Sequence, residues 1–404
     1  MKNKKIIKKF IFIFMILLMN SYYVVQAQVK DINVESISIN NANEVGKEYK
    51  NEYKEVEDIY KYITNLKSEY EILKEIDPKE FVEEMIQNKD MNMKNSKLIS
   101  VIKKVLFKEI SSTMKLMSVL IIIALVCSLL RNLQEAFSNS NISNIAYFTC
   151  FAAMIIVLAK SFYIGIDLSK NAIEGISNFM YAIIPVLMML FATLGNVSQA
   201  MFMDPILISS INICITVISK IVLPLITLTF VLNFVNNLSE DCKINNLSSI
   251  IKSAVMWIQG IIMTIFVTLL TIRSIAGATM DEVTVKTAKF AVDTFIPIVG
   301  KSLSDAFTTV AGYTLLLKNS VGTLGLIVII LIMIIPIVKL FCMASLYKIT
   351  GAIIEPISDK KLTNCINSCG NCLILVMSSL ICVTVMCFIM IAILTATGKG
   401  IISV

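Results

Sequence analysis

The sequence predicts an all-α, polytopic membrane protein with seven or eight transmembrane helices and a small helical extracytoplasmic region at its N-terminus. Three observations lead to this prediction. Hydrophobic residues make up 56% of the 404 residues, and the charged residues are concentrated in the first 113. The remainder is a series of apolar segments of about 20 residues, the length that a helix needs to cross a bilayer. The net charge of +7 comes partly from lysines at the extreme N-terminus, so it does not indicate a nucleic-acid-binding protein.

Residues 1–27 have the pattern of a secretory signal peptide. Five lysines precede an apolar core at residues 10–19, and Ala27 ends a Val-Gln-Ala sequence with small residues of the kind that signal peptidases recognise. We predict cleavage after Ala27, with an uncleaved anchor helix as the alternative. In both cases residues 28–113 begin outside the cytoplasm, as a polar helical region with an apolar stripe that includes Ile63.

Seven apolar segments follow, each long enough to span a bilayer. The fourth contains Pro224 and the sixth Pro336, so we expect both to be tilted, kinked or broken. The predicted spans are residues 114–130, 145–166, 176–194, 205–234, 254–272, 321–346 and 372–394.

The prolines also indicate an internal duplication. Pro185 and Pro297 are 112 residues apart, and so are Pro224 and Pro336; chance coincidence is the alternative. Two helices in residues 114–174 would precede a first repeat at 175–275 and a second within 276–404. Because each repeat would have three helices, an odd number, the second repeat would have the opposite orientation in the membrane, as in many transporters. Residues 288–312 would then be an eighth span. Short cytoplasmic loops usually carry more lysine and arginine than outer loops. With Lys318 counted as a loop residue, the two sides carry nearly equal numbers for either topology, so this rule does not decide between seven and eight spans.

Charged residues recur at helical intervals within residues 288–312. Separations of three or four residues place side chains on one face of a helix, and the opposite face here is apolar. Opposite charges one turn apart also reduce the cost of burying either one. We predict a helix with one face toward water, lining or gating a pore; a helix lying flat at the membrane surface is the alternative. The candidate residues are Lys289, Asp293, Lys301, Ser304, Asp305 and Thr308.

Lys220 is a further pore-lining or gating candidate. It lies near the middle of the fourth span, one turn before Pro224, where an isolated lysine is costly. We therefore expect it to face a cavity, a carboxylate or another subunit. The candidates for kinks or hinges are Pro185, Pro224, Pro297 and Pro336, and static kinks that help the spans to pack are the alternative.

The residue types argue against an enzyme. The chain contains no histidine and no nucleotide-binding glycine loop, GxSxG or HExxH sequence, so any ATP-driven step would need a separate protein. Most of the ten cysteines lie in apolar segments, where they behave as small hydrophobic residues. Cys365, Cys369 and Cys372 lack the fourth ligand of a closed zinc site, and we expect neither a metal nor a cofactor.

Two sequences in the second half of the chain resemble the stage III sporulation protein AE family of endospore-forming bacteria. They are TVKTAKFAVDTFIPIVGKSLSDAFTTV, residues 284–310, and LLLKNSVGTLG, residues 315–325. The layout of signal sequence, polar region and multiple spans is also similar, and the resemblance covers residues 114–404. It implies a mother-cell protein of the outer forespore membrane, in a secretion-like channel that joins mother cell and forespore.

The resemblance also implies partners. These are the other proteins of the operon, namely a cytoplasmic ATPase, small membrane proteins and ring-forming proteins, together with a protein from the forespore. We expect a channel or export-gate subunit, embedded in membrane lipid and assembled from several copies. The alternatives are a non-conducting scaffold that recruits the ATPase and ring proteins, and a self-contained secondary transporter.

Overall fold

The computed structural model is a bundle of long α-helices. The described residues are helical except at short turns and include no strand, which confirms the all-α class. The side chains of residues 273–313 are not among those described. The structure describes residues 57, 60–65, 107, 110–111, 114–115, 117–130, 141–194, 197–238, 245–295, 300–358 and 360–396.

Seven α-helices and one π-helical segment account for nearly all of this part of the chain. Five stretches are long and apolar enough to cross a membrane, and α1 is a shorter apolar helix, so the polytopic class is also confirmed. In chain order the elements are α1 (Met117–Leu130), α2 (Asn141–Thr193), α3 (Val197–Val217), the π-helical segment (Ile218–Val222), α4 (Leu223–Leu238), α5 (Asn245–Phe295), α6 (Gly300–Ile354) and α7 (Lys360–Ala396).

The number of separate spans differs from the sequence prediction because two predicted spans, 145–166 and 176–194, belong to one helix. α2 runs through the polar residues between them without a break. These residues contain no proline, and their charged side chains are exposed on one side of the helix, so nothing forces the backbone to turn. The amide of Asn171 also donates to the Asp167 carboxylate one turn earlier, at 3.4 Å. The predicted boundary at residue 175 therefore lies inside α2, while the duplication itself stays a prediction.

α7 is the central helix of the bundle. It packs most extensively against α6 and also contacts α2, α4 and α5. Apolar residues surround much of its circumference, and most of its side chains are buried. A tight turn joins it to α6, with the Glu355 N–H donating to the Gly351 carbonyl at 3.0 Å. α6 and α7 therefore form an antiparallel pair around which the other helices are arranged.

Some polar side chains inside the bundle are paired between helices. The Gln259 amide of α5 donates to the Ser379 hydroxyl of α7 at 2.6 Å, and its carbonyl accepts from Ser378 at 2.7 Å. Ser248 of α5 donates to the Asn233 carbonyl of α4 at 2.6 Å. Such bonds offset the cost of burying polar groups and fix how neighbouring helices are placed.

A short part of the polar N-terminal region packs against the bundle. Residues 60–65 are helical, Ile63 is buried, and the Tyr62 ring stacks on Phe179 of α2 with 6.5 Å between ring centroids. Ile63, a member of the apolar stripe of this region, is thus part of the buried core. The signal sequence with its cleavage site at Ala27, and most of residues 28–113, lie outside the described part of the chain.

Close contacts between helices depend on glycines of α6. A Cβ atom at Gly322 would overlap the side chain of Thr395 on α7, and one at Gly325 would overlap the end of Ile183 on α2. Thr395 is branched at Cβ and donates to its own helix at the Ile391 carbonyl, so it has little freedom to move away. Gly322 therefore permits the close approach of α6 and α7.

We predict that Gly322→Ala destabilises the protein by about 1–3 kcal/mol, the usual cost of overpacking a filled core. Gly260→Ala is the matched control, because a Cβ there meets nothing within 4 Å. Since alanine favours helix more than glycine, the control is expected to stabilise by up to about 1 kcal/mol. Thermal unfolding of the purified protein in detergent, followed by circular dichroism, measures both changes. Equal midpoints for the two variants would contradict a tight contact at Gly322.

Candidate functional site

The charged residues predicted to line a pore are divided between two helices. Lys289 and Asp293 belong to the last two turns of α5, and Lys301 to Thr308 belong to the first three turns of α6. Residues 296–299, which include Pro297, lie outside the described residues, as do the side chains of the charged series. The backbone confirms helix on both sides of this gap, whereas the pore-lining role of Lys289, Asp293, Lys301, Ser304, Asp305 and Thr308 stays a prediction.

The side of α6 that bears the charged residues continues, at the same helical spacing, into the interior of the bundle. The helix is unbroken from Gly300 to Ile354. Eighteen residues correspond to about five turns of α-helix. Asn319 therefore lies on the same side of α6 as Lys301, and Thr323 on the same side as Asp305. The side of the helix that bears charges in its first turns thus bears an amide and a hydroxyl deeper in the bundle.

The LLLKNSVGTLG sequence forms the most enclosed part of α6. Every residue from 320 to 326 is buried, so protein surrounds the helix on all sides there. Lys318 is completely buried as well, and its Nζ atom lies 4.8 Å from the centroid of the Phe191 ring of α2. A lysine ammonium over an aromatic face at this distance is a cation–π interaction. The bundle therefore holds a charged side chain in an apolar environment, where charges are costly and usually functional.

Two further polar groups lie close to Lys318 along α6. The Thr314 hydroxyl, one turn before the lysine, and the Asn319 carbonyl oxygen, in the next residue, are buried without a hydrogen bond within the described part of the protein. Buried polar atoms of this kind are uncommon and need an explanation. Thr314, Lys318 and Asn319 form what we call the buried lysine cluster, a polar centre at the inner end of the charged segment.

Sequence reasoning missed this cluster. The predicted span began at residue 321, so Lys318 was counted as a loop charge. A signal was present, because three leucines precede the lysine and an apolar segment follows Asn319. The partner ring of Phe191 comes from a distant part of the chain, and no local pattern connects it to Lys318.

Lys220 lies elsewhere, on the outer surface of the bundle. Its side chain is exposed, and so are the neighbouring apolar side chains of Ile213 and Ile221. Among the described residues, no carboxylate forms an ion pair with it. Of the three environments expected for Lys220, contact with another subunit is the one that this position favours.

The backbone around Lys220 departs from an α-helix for a physical reason. Pro224 has no N–H group to donate to the carbonyl of Lys220, four residues earlier. The chain instead forms a π-helical turn, in which the Leu223 N–H donates to the Ile218 carbonyl five residues back. π-helical turns often mark functional positions. α2 and α6 remain helical through Pro185 and Pro336, and a hinge role for any of the four prolines stays a prediction.

The three cysteines near the start of α7 are packing residues in this structure. Cys365, Cys369 and Cys372 are buried and unbridged. The Cys369 sulfur is 4.0 Å from the Leu158 carbonyl oxygen, and the Cys372 sulfur accepts from the Asn233 amide at 3.8 Å. Across the described residues, no three histidine, cysteine or acidic side chains are arranged to hold a metal ion.

The long apolar helices, packed by glycine contacts and containing a buried lysine, define a polytopic helical membrane protein. The sequence profile of the family described as "Stage III sporulation protein AE" matches residues 76–398. The chain belongs to this family, which confirms the resemblance of the two sequences in its second half. It is 31% identical over 294 residues to the stage III sporulation protein AE of Bacillus subtilis (strain 168), covering 73% of this chain and 74% of that protein. No solved structure matches the chain.

We predict that Lys318→Met abolishes most sporulation while the protein still accumulates in the membrane. Methionine keeps the length and apolar contacts of the side chain but removes its charge, and buried charges are usually kept for function rather than stability. The measurement is the yield of heat-resistant spores in a strain that carries only the variant, together with the amount of membrane-inserted protein. Lys160→Met is the control, because Lys160 is exposed on α2. Normal spore yield from Lys318→Met would show that the charge is dispensable.

Proposed function

We propose that this protein is an integral membrane subunit of a secretion-like channel complex that links mother cell and forespore during sporulation. The observation that carries the proposal is the unbroken course of α6. Its first turns bear Lys301, Asp305 and Thr308 at helical spacing, and its next turns bear the buried lysine cluster. A helix that is charged at one end and holds a buried cation further along is suited to lining or gating a polar passage.

The passage is proposed to lie between copies of the chain. In the described part of the bundle, the interior is filled by apolar side chains and α7 occupies its centre. Lys220 faces outward from the π-helical turn, beside exposed apolar residues. An exposed lysine among apolar residues is costly against lipid and is accommodated better at a polar contact with a second subunit. These features support an assembly of several copies.

The proposed setting follows from the family. It is the outer forespore membrane, with the protein made in the mother cell and inserted by means of a signal sequence. The proposed partners are the other proteins of the operon, which supply an ATPase, small membrane proteins and rings, and a protein from the forespore. The chain contains no nucleotide-binding glycine loop, which agrees with a separate motor.

A non-conducting scaffold is the second candidate, and an exposed polar surface on α2 favours it. Asp167, Lys170, Asn171 and Glu174 lie exposed between the two apolar parts of that helix. A polar surface at such a place is suited to binding another protein of the complex. A secondary transporter has no comparable support, because it depends on the proposed duplication alone.

Cysteine labelling along α6 tests the channel proposal. Single cysteines are introduced at Lys301, Asp305 and Thr308 on the charged side and at Leu303 and Phe307 on the apolar side, in a chain whose native cysteines have been replaced. For a channel subunit we expect a small membrane-impermeant thiol reagent to label the first three positions and not the other two. Cysteines at Ser302 and Val404 report on which side of the membrane each end lies.

The pattern of labelling separates the two candidates. A channel subunit keeps the one-sided pattern whether or not the other proteins of the operon are present. A scaffold shows labelling when the chain is alone and protection when its partners are added. Equal labelling of both sides of α6 would reject a pore-lining role for the charged residues.

A further inference from the structure

Two lysines lie on neighbouring helices near the end of the bundle where α6 turns into α7. Lys252 lies seven residues after the start of α5, and Lys348 lies six residues before the end of α6. Their side chains are half-buried, and both lysines come from segments that pack on the same part of α7, near Gly370 and Cys372. Like charges held together in this way are costly in a membrane protein unless something compensates them.

The surrounding helices hold the two lysines in position. The aliphatic part of the Lys348 side chain packs against Gly370 of α7. A Cβ atom added at Gly370 would lie 3.5 Å from the Cε atom of Lys348. Ser248, one turn before Lys252, donates to Asn233, and the Asn233 amide points to the Cys372 sulfur. Four helices, α4 to α7, therefore converge on one polar recess with two positive charges.

The described residues supply no compensating charge at this recess. Neither Lys252 nor Lys348 forms an ion pair or a hydrogen bond with any described side chain. The described charges nearest in sequence to the turn are Glu355 and, at the start of α7, Lys360 and Lys361. Glu355 is exposed and two turns beyond Lys348, and the other two add to the positive charge.

We propose that Lys252 and Lys348 form a binding site for the phosphate of an anionic phospholipid headgroup. The two lysines lie about 10 Å along the helices from their ends, at 1.5 Å per residue, and so near one end of the apolar stretches Asn246–Ile272 and Thr314–Ile354. Basic recesses between transmembrane helices bind anionic headgroups elsewhere. This site does not depend on the channel function proposed above.

Lipid binding to the full-length protein in detergent tests the proposal. Native mass spectrometry measures how much phosphatidylglycerol, phosphatidylcholine or inorganic phosphate each variant retains across a titration. Each lysine is expected to contribute roughly fivefold to the affinity, so the double variant K252Q/K348Q is expected to bind phosphatidylglycerol about twenty-five-fold more weakly. The double variant K160Q/K170Q is the matched control, because both lysines are exposed on α2 and the change of charge is the same. It is expected to bind phosphatidylglycerol like the natural chain.

Lipid headgroup charge and side-chain charge are varied separately in the same titration. Phosphatidylcholine should bind the natural chain weakly, because its headgroup has no net charge. The variant K252R/K348R keeps both charges and should retain phosphatidylglycerol, which separates loss of charge from loss of fold. Unchanged phosphatidylglycerol binding by K252Q/K348Q would overturn the proposal. Saturation of the site by inorganic phosphate, with no preference for phosphatidylglycerol, would overturn the assignment to a lipid.

Discussion

The close packing of α6 against α7 is the constraint on which the rest of the structure depends. α7 is surrounded by α6, α2, α4 and α5, so these helices are placed relative to the α6–α7 pair. In a membrane the helices gain little from excluding water, and their association depends on close contacts and hydrogen bonds between them. The contact of Gly322 with Thr395 brings the two backbones together, and Gln259 and Asn233 attach α5 and α4 to α7. The same packing encloses Lys318, whose burial thus follows from the central contact of the fold.

The fold class was predictable because the bilayer imposes a simple requirement. A chain that crosses lipid must satisfy its backbone hydrogen bonds within each segment, so apolar segments of sufficient length become helices. The continuity of α2 was not predictable in the same way. Residues 167–175 are polar enough to form a loop, and local propensity does not distinguish a loop from an exposed helical turn. Asp167, Lys170, Asn171 and Glu174 can lie outward on a helix as readily as on a connection.

The candidate site was predictable only in part, because some of its features depend on contacts between helices that are distant in the sequence. Periodicity predicts a charged face for residues 288–312, since the spacing of side chains along one helix is a local property. The environment of Lys318 depends on Phe191, and that of Lys348 depends on Lys252 and Gly370, which come from other helices. Lys220 illustrates the opposite case. Its charge in an apolar segment was recognised, but only the packed bundle shows that it faces outward.

The length of α2 limits how the protein can sit in a bilayer. Fifty-three residues of α-helix extend about 80 Å at 1.5 Å per residue, whereas the hydrocarbon core of a bilayer is about 30 Å thick. The tilt needed to keep the whole helix within that thickness would be near 70°, far beyond the tilts that transmembrane helices adopt. A substantial part of α2, with the helices packed on it, must therefore stand clear of the hydrocarbon core. The protein projects from its membrane as well as crossing it.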